Sequence, residues 1–135
     1  RLSRGLGDVY KRQVIVEGQG ALNNMFYSGV TLGLLHGCMP EFLIMTHEPY
    51  RELDVSDYPI PSLKELMTLH LNLLKPFKNS TFVGINLLTL KLNRNEAREY
   101  IQNVNDEFDL PTTDVVRFGS RGLISSIETA IQTWK

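Results

Sequence analysis

The sequence predicts an α/β fold: a three-layer arrangement with a parallel sheet covered by helices on both faces. Three observations lead there. Apolar runs at Val14–Val16, Phe42–Met45, Phe82–Leu88 and Val115–Phe118 are nearly continuous rather than alternating, the pattern of strands buried on both faces. The segments between them carry apolar residues at helical spacing. Polar residues gather just past the carboxyl ends of the runs, where open parallel sheets bind ligands.

Each element has its own signal. Val14-Ile15-Val16-Glu17 reads as a strand stopping at a carboxylate, followed by the Gly18-Gln19-Gly20 turn. Gly29–Gly37 reads as a short helix rich in small residues, with Gly37 as its stop and Pro40 just beyond. His36, inside that apolar segment, is expected to be a packed histidine bonded to backbone. Phe42–Thr46 is the second strand, running out into His47-Glu48-Pro49-Tyr50-Arg51. Pro59 and Pro61 forbid a helix through the next loop.

Ser62 and Glu65 then form a capping box for a helix whose stripe is Leu63, Leu66, Met67, His70, Leu73 and Leu74. His70 is expected at the core border, since no H-E-x-x-H partner exists for it. Thr81–Leu88 is the third strand, with Gly84 permitting close packing and Asn86 as a polar residue within it. Asn93 and Glu96 make a second capping box, and Ala97, Tyr100, Ile101, Val104 and Phe108 face the core. Thr113–Gly119 is the expected fourth strand, carrying Arg117 toward its carboxyl end. Ser120 opens a last helix with Leu123, Ile124, Ile127, Ile131 and Trp134 on one face.

Residues 1–13 have neither a strand nor a helix period and read as a non-native tail of the kind adapter read-through produces. Gly5-Leu6-Gly7-Asp8-Val9-Tyr10-Lys11 lacks the spacing of a phosphate-binding loop, because Lys11 is followed by Arg12 and no strand precedes the glycines. Residues 14–135 are expected to be one structural unit, the carboxyl half of a larger α/β domain entered inside a strand.

The 135 residues carry a formal net charge of −1, 42% hydrophobic and 21% charged residues. That balance is ordinary for a globular domain and gives no electrostatic case for nucleic acid or an anionic membrane. No apolar run approaches the roughly 20 residues that span a bilayer. The single Cys38 excludes an intrachain disulfide and a cysteine metal cluster, in keeping with a cytoplasmic location.

Four ordered blocks carry a specific resemblance: Val14–Gly20, Tyr27–Pro40, His47–Arg51 and Val116–Gly119. Together they resemble the carboxyl half of a family long classed as a domain of unknown function. The family pairs a Rossmann-like amino-terminal domain with a P-loop NTPase-like carboxyl domain, and some members are D-glutamate (D-amino-acid) N-acetyltransferases. The Glu17-Gly18-Gln19-Gly20 turn also resembles the V-E-G-x-G segment of dethiobiotin synthetases. Two departures stand out. The family's lysine-bearing phosphate loop has no counterpart here, and its usual Asn-Thr after the third strand is Leu88-Thr89 in this chain.

The resemblance implies acetyl transfer from acetyl-CoA to the amino group of an acidic D-amino acid, with room for Mg and ATP and for a homo-oligomer of the intact protein. Glu17 would hold a metal ion or a water beside a phosphate, with Gly18 and Gly20 giving backbone access. His47 or Glu48 would take the amine proton, and Arg51 or Arg117 would pair with a carboxylate or phosphate. An ATP-dependent ligase or kinase of the dethiobiotin-synthetase type and a non-catalytic nucleotide-binding module are the alternatives. A chain lacking the amino-terminal strands is expected to be inactive alone and to self-associate through an unpaired sheet edge.

Overall fold

Three parallel strands lie in the order β1-β2-β3: β1 is Phe42–His47, β2 Thr81–Leu87 and β3 Thr112–Thr113. They belong to a computed structural model that describes residues 14–134. The reading of residues 1–13 as a non-native tail lies outside the described residues. Helix α1 spans Ser28–Cys38, α2 Leu63–Leu74, α3 Arg94–Phe108, α4 Val115–Phe118 and α5 Arg121–Thr133. Helix α2 connects β1 to β2 and α3 connects β2 to β3, the long crossover that parallel neighbours require. No helix among the described residues is long and apolar enough to cross a membrane.

Both capping boxes form as their spacing predicts. The Ser62 side chain accepts from the Glu65 amide while the Glu65 carboxylate accepts from the Ser62 amide. Asn93 and Glu96 do the same for α3. These local bonds satisfy amides that the first helical turn leaves without partners.

The main core joins Leu66 and Met67 of α2 and Val104 of α3 to Met45, Phe82, Ile85 and Leu87 of the sheet. Helix α5 covers the opposite face. A Cβ on Gly84 would collide with the Leu123 side chain and stand 3.2 Å from the Pro111 carbonyl oxygen, so glycine lets α5 close onto the strand. The Ser126 hydroxyl donates to the Val83 carbonyl (2.6 Å) and fixes that contact. Pairing between β1 and β2 slips by one residue: Leu43 faces Phe82, Ile44 faces Gly84, and Val83 has no partner in β1. Helix α1 packs on the end of α2 through Leu35, Leu22 and Leu74. His36 Nε2 bonds the Leu73 carbonyl (2.9 Å) and its ring meets Phe77 edge-on, the backbone-bonded histidine expected. His70 Nδ1 likewise bonds the Leu66 carbonyl.

Three expectations are corrected. Val14–Glu17 forms no strand and pairs with none among the described residues, and Val14 and Ile15 are 84% and 94% exposed. Three β-branched residues favour the strand conformation, yet a strand is stabilised by pairing and packing, and the described residues supply this segment with neither. The expected fourth strand stops at Thr113. Val115–Phe118 is instead one helical turn, because Asp114 Oδ1 accepts from the Val116 and Arg117 amides. That cap overrides the strand propensity of two valines that face solvent. On α5, Leu123 is buried but Ile124 and Trp134 stand in solvent, so the apolar stripe is narrower than its spacing implied.

Candidate functional site

Parallel strands bring their carboxyl ends to one edge. His47 closes β1, Leu87 closes β2 and Thr113 closes β3. The Leu88 amide donates to the His47 carbonyl (2.9 Å) and holds the first two ends together. Immediately beyond β1, Glu48 lies between two cations: Arg51 Nη1 at 3.4 Å from Oε2 and Lys91 Nζ at 3.2 Å from Oε1. Arg51 also donates through Nε to the Leu53 carbonyl (3.1 Å). Lys91, from the loop after β2, thus joins a cluster of which the sequence revealed only the β1 half.

His47 is half-buried, and its pKa is lowered. Burial disfavours the imidazolium, and the neighbouring Glu48 carboxylate offsets this only in part. The ring is therefore neutral near pH 7 and able to accept a proton.

Across β2 and β3 the rim is built differently. Thr89 and Asp114 are each 1% exposed. The Thr89 amide and hydroxyl donate to Asp114 Oδ2 at 2.9 and 2.6 Å. Burial alone would raise the Asp114 pKa. The donors from Thr89, and the Arg117 and Val116 amides on the other oxygen, outweigh it and hold the carboxyl below its usual range. Arg117 Nη1 donates to the Thr89 carbonyl (2.8 Å) and the Leu92 carbonyl (2.9 Å). Asn86 Oδ1, the polar group within β2, accepts from the Val115 amide (3.1 Å). Arg117 is therefore partly committed to the backbone of the β2 loop. Asp114 was missed in the sequence, although its spacing to Val116 and Arg117 is that of a helix cap.

The glycine turn shares no ion pair with either cluster among the described residues. Gly20 has φ +126°, and a Cβ there would lie 2.8 Å from Tyr27 Cβ, so this position requires glycine. Nothing lies within 4 Å of a Cβ on Gly18, which leaves that backbone open to approach. The turn is tied to α1 by the Thr31 hydroxyl, which donates to the Gly20 carbonyl (3.0 Å). Just after it, buried Asn24 donates to Asp54 Oδ2 (2.7 Å) and bonds Ser56 Oγ (3.1 Å), linking this loop to the one that follows Arg51. Glu17 itself is exposed and forms no ion pair with His47, Arg51 or Arg117.

The sequence-predicted residues thus fall into three groups: His47, Glu48 and Arg51 together; Arg117 with Thr89 and Asp114; Glu17, Gly18 and Gly20 on a separate turn. Among the described residues no three His, Cys, Asp or Glu side chains could hold a metal ion together. Glu17 is a single exposed carboxylate, a donor that would hold Mg only together with phosphate and water oxygens.

Known proteins resemble this chain over most of its length. The family described as "Domain of unknown function (DUF1611_C) P-loop domain" matches residues 4–124. A D-glutamate N-acetyltransferase of Tritonibacter scottomollicae is 39% identical over 116 residues, covering 84% of this chain and 35% of that protein. A D-glutamate N-acetyltransferase of a Pseudoalteromonas species is 30% identical over 118 residues, with the same coverage. The crystal structure of a DUF1611 family protein from Anabaena variabilis superposes with a TM-score of 0.76 at 32% identity, covering 84% of this chain and 34% of the other. The chain spans about a third of the length of the relatives it matches.

Proposed function

This chain belongs to the DUF1611 carboxyl-terminal P-loop domain family, and on that premise we propose that it contributes to an N-acetyltransferase acting on the amino group of an acidic D-amino acid, with acetyl-CoA as donor. The observation that carries the reading is the 39% identity, across 84% of the chain, to a protein named D-glutamate N-acetyltransferase.

The rim supplies residues suited to the task. An ammonium nitrogen has no lone pair, so it must lose a proton before it attacks the thioester carbonyl. His47, neutral because it is half-buried, is assigned that proton. The new C–N bond forms as the C–S bond breaks, and the thiolate leaves. Arg51 is assigned the substrate carboxylate: its guanidinium is half-exposed, is held to Glu48 at only 3.4 Å, and presents a planar fork that matches a carboxylate. Glu48, next in the chain to His47, pairs with both Arg51 and Lys91. Glu17 is assigned no step.

The test is acetyl transfer from acetyl-CoA to D-glutamate. It is run in this chain and in the Tritonibacter protein carrying this chain in place of its corresponding segment, with and without His47→Gln. A drop of about 10²-fold or more in the variant is expected, the scale of general base catalysis. A folded chimera without acetyl transfer, from an active parent, refutes the reading. Unchanged turnover in His47→Gln removes that residue from the chemistry.

The P-loop character of the family favours a second reading, an ATP-dependent ligase or kinase of the dethiobiotin-synthetase type. Thermal protection separates the two, since a ligand that binds the folded state raises its melting temperature. Protection by ATP and not by acetyl-CoA selects the second reading.

A further inference from the structure

We infer that Arg94, Arg98 and Arg117, gathered on Phe118, form a subsite for the phosphate groups of a nucleotide. Their guanidinium carbons lie 5.8, 5.0 and 5.8 Å from the centre of the Phe118 ring. Two helices that meet at the carboxyl end of the sheet supply them: Arg94 and Arg98 come from the first turns of α3, and Arg117 comes from α4. The three line an open surface cleft together with Ile101, Gln102, Thr113 and Phe118.

The cleft concentrates positive charge. Arg94 and Arg98 are like charges one turn apart on α3, a pairing that disfavours a helix. Both also sit at the helix amino end, where the backbone dipole already favours negative charge. Among the described residues none of the three arginines forms an ion pair, and Gln102 at the cleft's edge is occupied by donating to Asp106 (2.8 Å). Phe118 gives the cations a π-face, but a ring quadrupole does not neutralise three charges. A group bearing two or more phosphates does. Arg117 is held in place by the Thr89 and Leu92 carbonyls, so its position needs no ordering when such a ligand arrives. Arg94 and Arg98 are exposed and free to fork onto phosphate oxygens. Identifying the ligand with the acyl donor rests on the acetyl-transfer reading; the phosphate subsite does not.

The test is isothermal titration of this chain with inorganic pyrophosphate, coenzyme A and ATP. Each is run on the wild type, on Arg94→Gln/Arg98→Gln, and on Lys64→Gln as a distant control on α2. Saturable binding of pyrophosphate and of at least one nucleotide is expected. It should weaken by about tenfold or more for each arginine removed, the scale of one charge-assisted hydrogen bond, and stay unchanged in Lys64→Gln. Both arginines are exposed and like-charged one turn apart, so the melting temperature of the double variant should be equal to or slightly above that of the wild type. Binding of coenzyme A but not ATP identifies the donor. Binding of ATP but not coenzyme A keeps the subsite and removes the acetyl-transfer reading. No saturable binding of any of the three, or equal affinity in wild type and double variant, overturns the proposal.

Discussion

Replacing Asp114 by alanine should destabilise the chain by about 3–5 kcal/mol. The carboxylate accepts four hydrogen bonds: from the Thr89 amide (2.9 Å), the Thr89 hydroxyl (2.6 Å), the Val116 amide (3.0 Å) and the Arg117 amide (3.1 Å). The last two cap α4, and losing a cap costs about 1 kcal/mol. The first two leave two donors without partners beside a residue that is 1% exposed, at roughly 1–3 kcal/mol each. Such costs do not add fully, which sets the range. Asp114→Asn keeps one oxygen for the cap and loses the charge, so it should cost less. Urea denaturation with the slope checked for constancy measures both variants. The pH dependence provides a second readout. Because the folded-state pKa lies below the ordinary value of about 3.9, the carboxylate's contribution is full above pH 4 or so and is lost as pH falls through the folded value. The stability gap between wild type and Asp114→Asn should shrink in that window. A loss below 1 kcal/mol for Asp114→Ala, or a gap indifferent to acid, refutes the account of the Thr89–Asp114 link.

Other expectations follow from single contacts. Gly84→Ala should cost about 1–3 kcal/mol through overpacking against Leu123; a melting temperature equal to wild type would show that α5 gives way freely. The His47 ring should titrate by NMR with a midpoint below the usual value of about 6.5. Since its folded pKa is the lower one, its effect on stability is a loss as pH falls from about 6.5 toward the folded midpoint; a midpoint at or above 6.5 contradicts the burial argument. Asn24→Ala should cost about 1–3 kcal/mol and speed amide exchange in the loop around Asp54 and Ser56, which Asn24 bonds. Exchange unaltered there would mean that the loop is held by its own turn.

Local chemistry was the most readable part of the chain. Ser62 with Glu65, and Asn93 with Glu96, placed two helix starts correctly because each cap uses only atoms three residues apart. Phe42–His47 and Thr81–Leu87 were readable because continuous apolar runs have few other fates in a fold with helices on both faces. The failures share a different cause. Val14–Val16 carried the propensity of a strand, but propensity says nothing about whether a partner strand lies beside it. Val115 and Val116 carried the same propensity and lost to one carboxylate oxygen at Asp114. The rim residues past β1 were found because the strand end was found. The contacts of Thr89 with Asp114, of Lys91 with Glu48, and of Arg94 and Arg98 with Phe118 were not legible, since each joins residues far apart in the chain.

The slip between β1 and β2 has a bearing on how this domain can change over time. Neighbours along a regular strand look in opposite directions, yet Phe82, Ile85 and Leu87 all reach the same core, which the unpaired Val83 makes geometrically consistent. Shortening the strand by that one residue would reverse the outlook of everything before it, sending the Phe82 ring toward α5 and away from Met67. A variant that loses Val83 therefore has to exchange bulky and small residues across positions 81 and 82 at the same time. Such an exchange needs several coordinated steps, so insertions and deletions should settle in the loops after His47 and Leu87 and leave this short span intact.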